Sequence, residues 1–177
     1  MKRSTFVWII LIAVFTLFSM SGFLLSRYKQ MSKDKPIDGI ECSSESVPLK
    51  MHIHAHLAIF VNGRKIVVPE GIGIRESEGC VYWLHTHAND GVIHVESPVV
   101  RQFTLGQFFD IWKQKLSDTQ VGQFSNGTNR LKVYVNGKPY TGDPRNITLQ
   151  SHMQIVLEAG PKFVPPMSFT WPADLPQ

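Results

Sequence analysis

The sequence predicts an α+β fold, in which an N-terminal transmembrane helix precedes a small, mostly antiparallel β domain with one main helix. Asn-Gly pairs at Asn62-Gly63 and Asn136-Gly137 each stand between apolar-alternating runs, which is a strong signal for a β-hairpin. One segment with helical apolar spacing follows Thr104, a residue type that favours the N-cap of a helix. Residues 6–25 contain no charge and are long enough to cross a bilayer.

The elements of the β domain follow one another as hairpin, hairpin, helix, hairpin and strand. The hairpins are predicted over residues 51–68, 80–97 and 131–140, and the last strand over residues 153–158. The helix places four apolar side chains on one buried face: Phe108, Ile111, Trp112 and Leu116. Because one helix stands between hairpins, this order predicts a β-grasp-like arrangement, with a small barrel as the alternative.

The apolar segment is predicted to be an uncleaved membrane anchor. Lys2 and Arg3 precede it, as in a signal peptide or a signal anchor, and Ser19-Met20-Ser21 is a weak substitute for a cleavage site. Basic residues flank both ends, so the charge bias leaves the orientation ambiguous. A short N-terminal tail usually stays inside, which predicts that residues 26–177 face the periplasm or exterior. A cleaved signal peptide is the alternative.

The net charge of +4 is concentrated at the ends of this segment. Residues 1–35 carry a net charge of +5, whereas residues 36–177 carry −1. The basic isoelectric point therefore gives no indication of a nucleic-acid surface, and no basic stripe with interleaved aromatic residues occurs.

The chain is predicted to divide into four parts: an anchor over residues 1–25, a polar linker over 26–49, a histidine-rich domain over 50–160 and a proline-rich extended tail over 161–177. Its two cysteines, Cys42 and Cys80, are predicted to form a disulfide that ties the start of the domain to a strand. Two separate free thiols are the alternative.

Six of the seven histidines fall in two short stretches, and the first is the alternating run His52, His54 and His56. Alternate residues of a strand share a face, so these three side chains lie together. Ile53, Ala55 and Leu57 occupy the opposite face, which is continuously apolar. We therefore expect the histidines to face away from the core.

The second stretch is a hairpin that turns at Asn89-Asp90. This register pairs His85 with His94 and places Trp83, His87 and Glu96 on the same face. The opposite face is apolar, and a slip of one residue would move His94 to it. The hairpin is therefore predicted to present three imidazoles and a carboxylate on one surface.

Strand-borne His-x-His patterns with a facing histidine predict a transition-metal site, and imidazole ligands favour Zn(II) or Cu(II). No Met-rich motif occurs, which argues against a Cu(I) carrier. A pH-responsive or hydrogen-bonded structural cluster is the alternative. Glu96 is either a ligand or a partner that orients a histidine, Asp90 is assigned to turn chemistry, and His152 to a structural role. The predicted ligands are His85, His87, His94, His52, His54, His56 and Glu96.

Three resemblances follow from these motifs. The run from Gly79 to His87 resembles the first half of a cupin motif, but Asp90 comes too early and Glu96 too late for the cupin glutamate. The His-x-His strand with a facing histidine resembles the zinc site of α-type carbonic anhydrases. The long stretches HIHAHLAIFVNG, YWLHTHANDGVIHVESP and FTLGQFFDIW resemble an uncharacterised family of exported or membrane-anchored prokaryotic proteins, which implies little about activity.

These observations leave three functions open. The first is a membrane-anchored, extracytoplasmic metal-binding protein for Zn or Cu handling, delivery or sensing. The second is a metal-dependent enzyme, cupin-like or hydrolytic, in which Glu96 is the general base. The third is a structural or assembly module without a metal. The sequence contains no P-loop, nucleophile elbow or Cys-His catalytic pattern.

Overall fold

A computed structural model describes residues 34–165 and 167–173 of the chain. The predicted membrane segment over residues 6–25 lies outside the described residues. Within the described ranges, no helix has both the length and the apolar character needed to cross a membrane.

The described chain is mostly β-structure, with one α-helix. The α-helix is α1 (Leu105–Trp112), and Pro144–Asn146 forms one turn of 3-10 helix. The strands are β1 (Asp34–Ile37), β2 (Ile40–Ser43), β3 (Met51–Val61), β4 (Arg64–Ile66), β5 (Ile74–Arg75), β6 (Cys80–Tyr82), β7 (Leu84–His85), β8 (Val92–Ser97), β9 (Gln120–Val121), β10 (Phe124–Ser125), β11 (Lys132–Val135), β12 (Lys138–Pro139) and β13 (Met153–Ala159).

Most of the strands belong to one sheet, here called the main sheet, with the order β12-β11-β13-β3-β8-β7 and with β4 paired to β3. Its pairs are antiparallel except for β13 and β3, which run parallel at the centre. A four-stranded sheet has the order β1-β2-β6-β5, and β9 pairs with β10. The mostly antiparallel α+β prediction is therefore confirmed, with one parallel pair added.

The central strand β3 is buried on both faces from His54 to Phe60. Leu57 and Ile59 on one face join the main hydrophobic core, to which α1 contributes Phe108 and Phe109. On the other face, here called the histidine face, Phe60 packs in a small apolar cluster with Ala58 and Val156. The histidines of β3 therefore lie on the side away from the main core, as predicted.

Two of the predicted hairpin turns are confirmed. Asn62 and Gly63 have φ values of 52° and 77°, and Asn136 and Gly137 have 50° and 75°. Both pairs are left-handed at both central positions, as a type I′ turn requires. The strands that flank them pair directly, β3 with β4 and β11 with β12.

Of the predicted hairpin over residues 80–97, only the part next to the turn is present. Its first strand breaks at Trp83, so that β6 pairs with β2 and β5 while β7 pairs with β8. The predicted disulfide between Cys42 and Cys80 is confirmed, and the Trp83 indole N–H donates to Ser43 Oγ at 2.9 Å. Because these contacts hold the start of the strand to β2, Trp83 is buried in the core and does not join the histidines.

The helix begins as predicted and ends earlier. Thr104 caps it: its hydroxyl accepts from the Gln107 N–H while the Gln107 side chain accepts from the Thr104 N–H. Trp112 packs against Phe108 and Phe109, as predicted for a core residue. Lys113 then adopts φ 59°, so Leu116 is not on the helix and instead forms an isolated bridge with Val121.

Two segments at the ends of the domain contribute more than the sequence predicts. From Asp34 onward, the predicted linker forms β1 and β2 and joins the folded domain through the disulfide. The described part of the tail contacts the histidine face without forming a helix or strand. Phe169 and Gln154 exchange two hydrogen bonds, of 2.8 and 3.2 Å, and the Val164 N–H donates to Glu158 Oε1 at 3.0 Å.

Candidate metal centre

Three neighbouring strands of the main sheet bring the histidines together. His85 of β7 lies opposite His94 of β8, which is the predicted pairing, and His94 in turn lies opposite His54 of β3. Glu96 of β8 lies opposite His52 of β3. Because directly opposed residues point to the same face of a sheet, the three histidines form a row across the histidine face, with Glu96 and His52 alongside.

One set of side chains, here called the hairpin cluster, consists of His85, His87, His94 and Glu96. Its four possible ligand atoms lie within 4.8 Å of one another. His85 Nε2 is 3.1 Å from His87 Nε2, and Glu96 Oε1 is 3.5 Å from His94 Nδ1 and 3.8 Å from His85 Nε2. Ligand atoms 2.0–2.1 Å from a tetrahedral zinc ion are about 3.3 Å apart, so these separations need little adjustment to bind an ion.

A second set, here called the strand cluster, consists of His52, His54 and His94, and its ligand atoms also lie within 4.8 Å of one another. The ring centroids of His54 and His94 are 4.6 Å apart, and those of His52 and His54 are 4.8 Å apart. Glu96 Oε1 lies 3.2 Å from His52 Nε2, on the border between the two clusters. His94 belongs to both clusters.

The orientation of His85 is fixed by the backbone. Its Nδ1 lies 2.9 Å from the carbonyl oxygen of Tyr82. A carbonyl can only accept, so Nδ1 carries the hydrogen and Nε2 turns its lone pair toward the cluster. A histidine held in this way by its other nitrogen is the usual arrangement at metal sites.

Burial keeps His85 in the form that binds metals. Its side chain is 2% exposed, and this burial lowers the pKa of His85 to about 4, against the opposing effect of the Glu96 charge. The imidazole is therefore neutral at pH 7, as a metal ligand must be.

Glu96 provides the negative charge of the site. Its interaction with the His94 ring is the main reason that the pKa of Glu96 is lowered to about 2; burial opposes this lowering, and His85 and His52 reinforce it when they are protonated. The carboxylate is thus ionised at neutral pH. Its position near three histidines suits both roles predicted for it, ligand and orienting partner.

His56 and His152 belong to neither cluster among the described residues. The His56 ring stacks on Phe169 with centroids 3.8 Å apart, and its buried Nε2 lacks a hydrogen-bond partner in the described part of the chain. His152 packs against Trp171. Asp90 accepts from the Val92 N–H at 2.9 Å, in agreement with its assignment to turn chemistry.

The stacked position of His56 makes stability depend on pH. Burial, followed by the charge of Lys65, lowers the pKa of His56 from its usual 6.5 to about 4. Between pH 6.5 and pH 4 the unfolded chain binds the proton more readily than the folded chain. The contribution of the neutral, buried His56 to stability is therefore complete above pH 6.5 and is lost as the pH falls toward 4. Between pH 7.5 and pH 5 we expect His56 to account for a loss of about 2 kcal/mol in the free energy of unfolding.

Urea unfolding of the wild type and of His56→Phe at these two pH values measures this contribution. Phenylalanine keeps a ring against Phe169 but cannot bind a proton, so the variant should lose about 2 kcal/mol less than the wild type on acidification. His152→Asn is the matched control, because asparagine tolerates the left-handed backbone at this position, where φ is 55°. Equal losses in the wild type and His56→Phe would contradict the expectation.

A small cavity of about 40 Å³ adjoins the hairpin cluster, with His85 and Glu96 in its lining. Ser43, Trp83 and Pro98 are among the other residues that line it. This volume holds one or a few water molecules. Part of the wall comes from residues 43–49, which the sequence predicts as linker; the Cys42–Cys80 pairing was the one signal that this segment lies near the histidines.

Three imidazoles and a carboxylate beside a water-sized cavity are able to bind a divalent transition metal. Seven predicted ligands were named from the sequence, and the structure brings six of them together while His56 lies under the tail. The resemblance to an exported prokaryotic family stays a prediction. No family model, curated protein or solved structure matches the chain.

Proposed function

We propose that this protein is a membrane-anchored, extracytoplasmic metal-binding protein whose primary site is the hairpin cluster. The observation that carries the proposal is the convergence of four ligand atoms within 4.8 Å. The hydrogen bond from His85 to the Tyr82 carbonyl supports it, because this bond fixes one ligand before any ion arrives. Metal handling, delivery or sensing is the role that such a site would serve.

The proposed ion is Zn(II) or Cu(II). Imidazole and carboxylate ligands suit both ions, whereas Cu(I) prefers thiolates and thioethers. Both cysteines are joined in a disulfide and leave no thiol free in the described part of the chain. The same disulfide supports the proposed location outside the cytoplasm, where disulfides persist.

Elemental analysis of the purified full chain, combined with Zn(II) and Cu(II) titration, tests the proposal. We expect at least one ion per chain in the wild type, and an affinity at least about 100-fold lower in His85→Ala/His87→Ala, because two of the four ligands are lost. His152→Asn, a change at a histidine outside both clusters, should bind like the wild type. A wild type that takes up neither ion would overturn the proposal and favour a structural or assembly module.

A metal-dependent enzyme is the second candidate, and the cavity beside His85 and Glu96 favours it. Three protein ligands with an open position are typical of catalytic sites, and Glu96 would act as general base if it does not bind the ion. A bound ion with an exchangeable water, detected by water-proton relaxation of the Cu(II)-loaded chain, would support this candidate. An ion without such a water would support a closed site.

We also propose that the main sheet and α1 form a β-grasp-like fold. The support is the parallel pairing of β3 and β13 at the centre of the sheet. Their antiparallel partners β8 and β11 lie outside them, and α1 lies in the connection between β8 and β11. The alternative small barrel would require β12 and β7 to pair, and in the described residues these strands are the two ends of the sheet order.

A further inference from the structure

We propose that the hairpin cluster and the strand cluster bind two metal ions at the same time, joined by the imidazole ring of His94. This inference rests on the proposed metal-binding function and extends it from one ion to a coupled pair. His94 is the residue that the two clusters share. It is also the middle member of the row His85–His94–His54 across β7, β8 and β3.

The numbers of ligands match this arrangement. His85 and His87 belong only to the hairpin cluster, and His52 and His54 belong only to the strand cluster. Glu96 Oε1 lies within 3.2–3.8 Å of nitrogens from both clusters. If His94 is shared, each ion has three imidazole ligands, and Glu96 can be the fourth protein ligand of one of them.

An imidazole ring can serve two ions because its two nitrogens have lone pairs that point in different directions. To bind through both nitrogens, His94 must release its ring proton to the solvent and become an imidazolate with one negative charge. With metal–nitrogen distances of 2.0–2.1 Å, the ring then separates the two ions by about 6 Å. The flanking rings are close enough for this: His54 lies 4.6 Å and His85 5.3 Å from His94 between centroids.

The balance of charge also favours the bridge. Two divalent ions bring four positive charges into a site whose one carboxylate belongs to Glu96. Repulsion between the ions is strong in this partly buried setting, where His54 is fully buried and His94 is 13% exposed. An imidazolate between the ions places a second negative charge where that repulsion is greatest. We therefore expect the second ion to bind together with the loss of the His94 proton.

The two positions would not be equivalent. The hairpin cluster adjoins the cavity, so its ion has access to water. In the strand cluster, His54 is buried and His52 and His94 are half-buried, whereas the hairpin cluster includes the exposed His87. The expected result is a pair in which the hairpin ion is open and the strand ion is more enclosed.

Titration of the full chain with Cu(II) alone tests the inference, with stoichiometry from elemental analysis and the state of the ions from electron paramagnetic resonance. The wild type should bind two Cu(II) ions per chain whose signals are coupled, so that the integrated spectrum falls well below the copper content. One ion per chain would overturn this inference and leave the proposed function intact. No bound copper would overturn this inference, and it would overturn the proposed function as well only if the chain also fails to bind Zn(II). Two ions with full, uncoupled signals would overturn the bridge.

Two variants separate the clusters. His52→Ala changes a side chain that is 37% exposed, so the fold should tolerate it, and the second Cu(II) should bind at least about 10-fold more weakly while the first remains with an ordinary uncoupled signal. His94→Ala removes the shared ligand, so coupling should disappear at any copper content. His152→Asn should keep two coupled ions. Coupling that survives in His94→Ala, in a chain that keeps its native disulfide and circular dichroism, would refute the role of His94.

Discussion

Removal of the disulfide with Cys42→Ala/Cys80→Ala is expected to lower the free energy of unfolding by about 4 kcal/mol. The bond closes a loop with a sequence separation of 38, and the loss of that constraint on the unfolded chain gives this magnitude. Both cysteines are buried in the main core, Cys42 at 0% and Cys80 at 3% exposure, so the alanines also leave a small cavity.

Urea unfolding followed by near-ultraviolet circular dichroism measures this loss. Reduction of the wild type should shift the midpoint in the same direction, whereas the double variant should not respond to reductant. The variant should also bind Zn(II) more weakly, because Cys80 starts the strand whose Tyr82 carbonyl orients His85. A double variant as stable as the oxidised wild type would show that the disulfide does not constrain the folded domain.

Gly91→Ala is expected to destabilise the domain by about 2–4 kcal/mol and to weaken metal binding. Gly91 has φ 87°, and a Cβ at this position would collide with the carbonyl oxygen of Leu57. The backbone of Gly91 also accepts from the Leu57 N–H at 2.9 Å, so the collision pushes the loop away from β3. This loop connects His87 to His94, and its displacement should therefore separate ligands of the hairpin cluster.

Gly137→Ala is the matched control for this prediction. Gly137 has φ 75°, but a Cβ there meets nothing within 4 Å. The Gly137→Ala substitution should therefore lower the free energy of unfolding only by the backbone strain, about 1 kcal/mol, and leave the Zn(II) affinity unchanged. The difference between the two variants in urea unfolding and in Zn(II) titration isolates the collision with Leu57. Equal effects on both measurements would contradict the expectation.

The turns and faces of the strands could be predicted from the sequence because they depend on local chemistry. Asn-Gly pairs favour left-handed conformations through their local chemistry, so the turns predicted at Asn62 and Asn136 were correct. The register of His85 opposite His94 followed from the separation of polar and apolar faces.

Where local patterns were misleading, a longer-range contact or a backbone conformation prevailed. The apolar spacing of Leu116 continues the helix in the sequence, but the left-handed Lys113 ends it. Trp83 shares the strand periodicity of the histidines, but its bond to Ser43 holds it in the core. The polar composition of residues 26–49 is typical of a linker, and the disulfide at Cys42 nevertheless brings β1 and β2 into the fold.

The candidate ligands could be named from the sequence, because the period of two along a strand assigns each histidine to a face. Which of these histidines meet depends on the pairing of strands in the folded sheet. Pairing of β3 with β8 places His54 beside His94, and the tail that returns across the histidine face puts Phe169 on His56. The period of two describes side chains within one strand, whereas the packing of the whole sheet determines which strands are neighbours. The sharing of His94 between two clusters is therefore visible only in the folded chain.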